Sequence, residues 1–301
     1  MLVISKLIGG LGNQLFQYAT GRALAQRLGS PLALDTVELL DHSNTTITPR
    51  HYELGVFPAL AAAPIVPVEA AAIARYRTQP VFRAANKARK VLGLRPAYVE
   101  LGEGGAFNFN ATVAGYHTPA GLVYLDGYWQ NERYFDSVAP LLRQELALPA
   151  FADAPNRQAS QQIAAAGSHA VSVHVRRGDY LQFADHGLCS VEYYIRALAA
   201  VAELVPAPVF FVFSDDIAWV RANIPLPATA TFIDWNQGAA SYHDLHLMSQ
   251  CRHHIIANSS FSWWGAWLNP HADKLVISPR NWMGNPTVTA DRVVPAAWRK
   301  L

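Results

Sequence analysis

Cysteine is nearly absent from this 301-residue chain: Cys189 and Cys251 are the only two, far apart and in no CxxC spacing. That excludes a disulfide framework, offers no zinc site, and fits a reducing compartment. Charge is scarce as well, at 15% of residues with a net +2. Lys and Arg are spread along the chain and form no basic stripe, so no nucleic-acid partner is expected. The densest basic run, Lys87 to Lys90 with Arg89, is short and reads as a solvated helix face. Long hydrophobic runs are missing too. The apolar N-terminal stretch, residues 1–10, is too short for a signal peptide or a membrane span, and no other segment approaches the length. The expectation is a cytoplasmic protein without a membrane span, with peripheral association at the inner face of a membrane left open. No metal is expected either: the pairs His243/His246 and His253/His254 lack matching partners and read as ordinary polar or helix-end histidines.

What is present is apolar: 51% of residues, enough to bury substantial cores. At this length two domains are expected, residues 1–150 and 151–301. The first opens with a strand near residues 2–8, a Gly-rich turn, a helix over 13–28 with Gly29 at its end, and a strand at 31–35. Residues 36–118, rich in Ala, Pro and Gly, predict helices and irregular loops. Another strand follows at 122–126. A polar, alanine-rich stretch at 151–168 separates the halves. Strands at 170–175, 209–214, 231–234, 254–257 and 274–278 then alternate with helices at 191–204, 217–223, 241–251 and 259–268. This alternation predicts a parallel, doubly wound sheet. Two such α/β domains imply a cleft between them.

Four clusters fall at strand-to-helix junctions, where open α/β sheets bind ligands. The first is Gly9-Gly10-Leu11-Gly12-Asn13-Gln14, whose glycines permit close backbone approach to an anion. With Asp35 downstream it resembles a dinucleotide fingerprint, but Leu15 stands where the third glycine belongs; a plain tight strand–helix turn is the competing reading. The second is Val171-Ser-Val-His-Val-Arg-Arg-Gly-Asp-Tyr180, a β-branched run ending in two guanidiniums suited to a dianion such as a diphosphate. The third, Phe213-Ser214-Asp215-Asp216, either accepts hydrogen bonds from a nucleoside or caps the next helix. The fourth, Asn258-Ser259-Ser260-Phe261, opens a helix with free amides that suit an anion. Beyond it Trp263, Trp264 and Trp267 share one helix face, which reads as core rather than as a sugar platform.

These clusters, together with Gly127-Tyr128-Trp129-Gln130, stand in an order that resembles the bacterial α-1,2-fucosyltransferases of glycosyltransferase family 11, from about residue 6 to 280. The resemblance implies a glycosyltransferase B fold of two Rossmann-like domains, the N-terminal one on the acceptor side and the C-terminal one binding GDP-fucose. It implies an inverting, metal-independent transfer of fucose to O2 of a terminal galactose in a glycan, with GDP-fucose as co-substrate and no further cofactor. Carried over residue by residue, His174 resembles a nucleoside contact, Arg176 the main β-phosphate contact and Arg177 its support. Asp215 and Asp216 resemble a guanine- and ribose-reading pair, which one reads the base being open. Asn258, Ser259, Ser260 and Phe261 resemble the diphosphate-binding helix start, and Gly10 and Gly12 belong to the donor-site pattern. Asn13 resembles a residue near the reacting centre.

The missing Asp-x-Asp motif of many metal-dependent sugar transferases agrees with that mechanism. For the base that accepts the galactose proton, Asp179 is preferred over Asp126, and a strongly dissociative transition state would need neither; a turn or an ion pair is the competing role of Asp179. Two other readings stay open at this point: an NAD-dependent oxidoreductase resting on Gly10, Gly12 and Asp35, and a non-catalytic nucleotide-sugar-binding protein. The acceptor glycan is not legible.

Overall fold

The computed structural model describes residues 1–40, 50–62, 70–105, 107–181 and 187–301. The chain forms two compact units, Met1–Ala147 and Leu148–Leu301.

The first unit is built on four parallel strands in the order β2-β1-β4-β3. Strand β1 (Leu2–Lys6) runs into α1 (Leu11–Arg27), then β2 (Leu32–Asp35) and a short α2 (Val37–Leu40). Helices α3 (Pro58–Ala62), α4 (Ala70–Thr78) and α5 (Pro80–Val91) lead to β3 (Tyr98–Gly102). The unit ends with α6 (Ala111–Ala114), β4 (Leu122–Asp126) and α7 (Ala139–Glu145). Alternation along β1 sends Ile4 toward Ile73 of α4 and places Ser5 against α1, where its hydroxyl donates to the Gln17 carbonyl. Gly21 of α1 lies so close to Ser5 that an added Cβ would sit 3.0 Å from the Ser5 Cβ. Helix α1 ends as expected: Gly29 takes φ +56°, and the Ser30 amide donates back to Ala25.

The second unit carries six parallel strands in the order β10-β9-β8-β5-β6-β7. Its elements are α8 (Ala154–Ala166), β5 (Ala170–Val175), α9 (Val191–Leu204), β6 (Val209–Ser214), α10 (Ile217–Asn223) and β7 (Thr231–Ile233). They continue through α11 (Tyr242–Gln250), β8 (His253–Ile255), α12 (Ser260–Leu268), β9 (Val276–Ser278) and β10 (Arg299–Lys300). Val171, Val173 and Val175 point to one face, under Tyr194, Ala197 and Val201 of α9 and Val220 of α10. Ala170, Phe211 and Phe213 point to the other, under Ile163 of α8 and Leu247 of α11. This is the doubly wound arrangement that the alternation predicts. Trp263, Trp264 and Trp267 are buried, and the Trp263 indole donates to the Val293 carbonyl.

Three expectations are corrected. Residues 151–168 are not merely a polar separator: Asp153 caps α8 by accepting from the Asn156 amide, and Ala159 and Ile163 bury against the sheet. Residues 36–118 hold a strand, β3, as well as helices and loops. It is an edge strand whose Glu100 is neutralised by Arg77 at 2.7 Å, a partner no local pattern reveals. Helix α1 begins at Leu11, so Gly12 and Asn13 lie inside its first turn.

Candidate active site

The order β8-β5-β6 sets three of the sequence clusters side by side, because parallel strands end at the same edge of a sheet. Strand β5 delivers His174, Arg176 and Arg177; β6 delivers Asp215 and Asp216; the segment after β8 delivers Asn258, Ser259, Ser260 and Phe261. Asp215 ties the first two together. Its Oδ1 accepts from the Arg177 backbone amide at 2.9 Å, and its Oδ2 stands 3.1 Å from Nη1 of Arg176. Gly178 is required here, since a Cβ would sit 2.8 Å from that Oδ2. Tyr180 joins the turn to the third strand: its hydroxyl donates to the Asn258 carbonyl, and its ring centroid lies 5.7 Å from the Arg176 guanidinium carbon.

Each predicted residue has a definite local situation. His174 is buried, its ring centroid 5.9 Å from that of Phe261, and its Nδ1 has no partner among the described residues. Burial, reinforced by the Arg176 charge, pushes its pKa down to about 3, so the imidazole is neutral. Arg177 turns toward α10, stacking 3.7 Å over the Trp219 ring with Nε 3.5 Å from Asp216. Asp216 also caps α10 by accepting from the Trp219 amide. The Asn258 carboxamide is committed to the fold, donating to Gly187 and Trp282 and accepting from the Cys189 thiol. Ser259 sits at the start of α12 without a side-chain cap bond, and no acidic residue occupies the helix's first turn, which leaves that turn positive in character. Of Asp179 only the backbone is described, in a single 3₁₀ turn; its side chain lies outside the described residues.

In the first unit the glycine cluster is a strand–helix turn. Gly9 takes φ +76°, where a Cβ would come 2.5 Å from the Asn13 amide nitrogen, and Gly10 precedes α1. Gln14, part of the first cluster but given no role by the sequence, and Gln17 hold this turn. Gln14 donates to Gly9 and His51 and accepts from the Glu53 amide, while Gln17 accepts from Ile8 and donates to Gly127. Asn13 accepts from Gln130 Nε2 at 2.8 Å, bringing the first cluster and the Gly-Tyr-Trp-Gln segment together at the carboxyl edge of this sheet. The oxygens of Asp126 pair with Lys6 and Arg77. Asp35 accepts from the Tyr124 hydroxyl and the Val37 amide, so each of its oxygens already serves the fold. Glu103, also unforeseen, accepts from the Tyr128 amide, and burial raises its pKa. A lone carboxylate after an unrecognised edge strand gave no signal. Among the described residues no three His, Cys, Asp or Glu side chains converge as metal ligands.

Comparison with known proteins adds independent findings. The model of the family described as glycosyl transferase family 11 matches residues 111–300. An α-1,2-colitosyltransferase of Escherichia coli is 32% identical, the match covering 100% of this chain and 99% of the relative. The E. coli O-antigen biosynthesis glycosyltransferase WbnK is 32% identical over 92% of this chain and 94% of its own length. Human galactoside α-(1,2)-fucosyltransferase 1 is 37% identical over a shorter segment, 33% of this chain and 28% of that protein. Among solved structures, NodZ α-1,6-fucosyltransferase co-crystallised with GDP shares the fold, with a TM-score of 0.50 at 18% identity over 89% of this chain and 92% of the other.

Proposed function

Because the chain belongs to glycosyltransferase family 11 and is therefore a glycosyltransferase, we propose that it moves L-fucose from GDP-β-L-fucose to O2 of a terminal galactose. The reaction inverts the anomeric centre and uses no metal. Within this proposal the fold is glycosyltransferase B, with the donor on the second unit and the acceptor side on the first. The galactose O2 attacks the fucose anomeric carbon on the face opposite the diphosphate. The C1–O bond breaks, its electrons pass to the β-phosphate oxygen, and the galactose O2 proton goes to a base. GDP leaves and the β-linked donor becomes an α-linked product.

One observation carries the reading: the Asp215-anchored arginine turn and the uncapped start of α12, joined through Tyr180 and Asn258. Charge developing on the leaving diphosphate meets a fixed cation, Arg176, and the first-turn amides at Ser260 and Phe261, donors that need no rearrangement as the bond breaks. Arg177 supports Arg176 from behind rather than beside the phosphate, since Trp219 and Asp216 hold its guanidinium. The neutral His174 offers one hydrogen bond to the nucleoside without adding charge. In this reading Asn13, its oxygen engaged by Gln130, keeps its side-chain nitrogen for the substrate, with Gly10 and Gly12 shaping that turn. Asp179 is the base in this scheme, Asp126 being held by two cations.

The test is transfer from GDP-fucose to lactose and N-acetyllactosamine by the full chain, with the product linkage read by NMR. An α-1,2 product that survives EDTA is expected, and Arg176→Ala should lower kcat/KM about 10²–10³-fold with an unchanged melting temperature. Activity lost to EDTA and restored by Mg²⁺ would refute the metal-free mechanism. Near-normal turnover by Arg176→Ala would refute its role. GDP-colitose is the second donor to assay, because the full-length similarity to the colitosyltransferase favours it. GDP-fucose binding with transfer to no galactoside would refute the proposed acceptor.

A further inference from the structure

The apparently even spread of Lys and Arg along the chain hides one concentration. Residues 70–95 hold seven of the 24 bases and none of the 22 acids, which leaves 17 bases against 22 acids in the rest of the chain. Helix α5 lies at the centre of this segment. Its inward side is fixed: Asn86 donates to the Tyr98 carbonyl and accepts from the Ala97 and Tyr98 amides, and Phe82 packs edge-on against Tyr76.

With that side settled, helical geometry places Val81, Ala84, Ala88 and Val91 in one stripe on the opposite side. All four are exposed. Val91, Val81 and the following Leu92, at 78%, 76% and 71% exposure, are the most exposed large apolar side chains among the described residues, and Leu94 is 52% exposed. A surface helix normally turns such a stripe inward; this one is held with the stripe facing out. Beside the stripe Arg83, Lys87 and Lys90, spaced i, i+4, i+7, line an open depression with Tyr76 and Asn86, of cavity volume about 210 Å³. None of these three cations has an ion-pair partner among the described residues.

We propose that α5 and the turn after it dock this protein on an anionic phospholipid surface, Arg83, Lys87 and Lys90 meeting the phosphates while Val81, Val91, Leu92 and Leu94 enter the interfacial layer. Charge complementarity selects this occupant. A second copy would present the same acid-free basic face, so a symmetric contact would oppose like charges. The juxtaposition of an apolar stripe and a cationic row on one exposed helix suits a lipid interface.

Co-sedimentation of the full chain with vesicles tests this. Binding is expected to phosphatidylglycerol-containing vesicles, not to pure phosphatidylcholine, and should disappear at about 1 M salt, where screening acts within about 3 Å. Arg83→Gln/Lys87→Gln/Lys90→Gln should lower the partition coefficient on the order of 100-fold. Val81→Ser/Val91→Ser should lower it about tenfold. Both variants should keep the wild-type melting temperature and the wild-type activity on a soluble acceptor. Equal binding to neutral vesicles, or a triple variant that still binds as wild type, overturns the proposal. So does the absence of vesicle binding alongside a concentration-dependent dimer lost in the serine variant, or alongside tight RNA binding. The wild-type salt and lipid dependence decides the matter even if a variant fails to fold.

Discussion

Replacing Asp215 by asparagine separates two roles for this carboxylate. Asp215 sits at a strand end where a nucleoside reader is expected, yet its oxygens engage the Arg177 amide at 2.9 Å and the Arg176 guanidinium at 3.1 Å. Asparagine keeps one acceptor for the amide but turns an NH₂ toward the guanidinium. The lost pair is about one-quarter exposed on each side, so its direct worth is at the surface end, below about 1 kcal/mol. Weakening the Arg177 amide bond from charge-assisted to neutral brings the total to about 1–2 kcal/mol, roughly a tenfold fall in kcat/KM. Truncating Arg176 itself costs about 10²–10³-fold. If Asp215 acts through Arg176, the double variant Arg176→Ala/Asp215→Asn falls no further than Arg176→Ala alone, and the single Asp215 variant loses kcat more than donor affinity. Gly178→Ala, which forces a Cβ to 2.8 Å from the same oxygen, should reproduce the Asp215 phenotype. Steady-state kinetics with varied GDP-fucose supply the cycle. Additivity within about 0.5 kcal/mol, or a rise in KM alone accompanied by lost preference for GDP over ADP, refutes the positioning role and restores the base-reading one.

Two further outcomes rest on other parts of the fold. Asp244, which accepts from Asn236, has its pKa pushed up to about 7 by burial; the folded unit therefore holds a proton that the unfolded chain releases near its ordinary value. Stability falls as pH rises from about 4 to 7 and is level above, so Asp244→Asn should flatten this slope and gain about 2–3 kcal/mol at pH 8 relative to pH 5. Denaturant titrations at both pH values check it, and parallel wild-type and variant profiles would refute it. Gly9→Ala, with φ +76° and a Cβ 2.5 Å from the Asn13 side-chain Nδ2, should destabilise the first unit by about 1–3 kcal/mol and disturb the Asn13–Gln130 contact; an unchanged thermal melt would show that the turn relaxes freely.

The sequence by itself determined the alternation of strands and helices in the second half, the burial of the Trp263, Trp264 and Trp267 face, the Gly29 terminus, and the placing of each cluster at a strand-to-helix junction. These are local matters, written in periods of two and 3.6 and in turn chemistry within a few residues. Tertiary structure decided the rest. The order β8-β5-β6, which sets residues 176, 215 and 258 at one edge, is a choice among pairings of segments about 40 to 80 residues apart, and no local period encodes it. The edge strand β3 stayed hidden because Glu100 depends on Arg77, and α8 because its apolar contacts are a few small or isolated residues in an alanine-rich run. Partner choice is equally non-local. A carboxylate at a strand end suits a ribose, a helix cap or an arginine, and only the fold shows Asp35 taken by Tyr124, Asp126 by Lys6 and Arg77, and Asp215 by the arginine turn. The same holds for α5, whose apolar residues are plain in the sequence; it is Asn86, anchored on β3, that turns them outward.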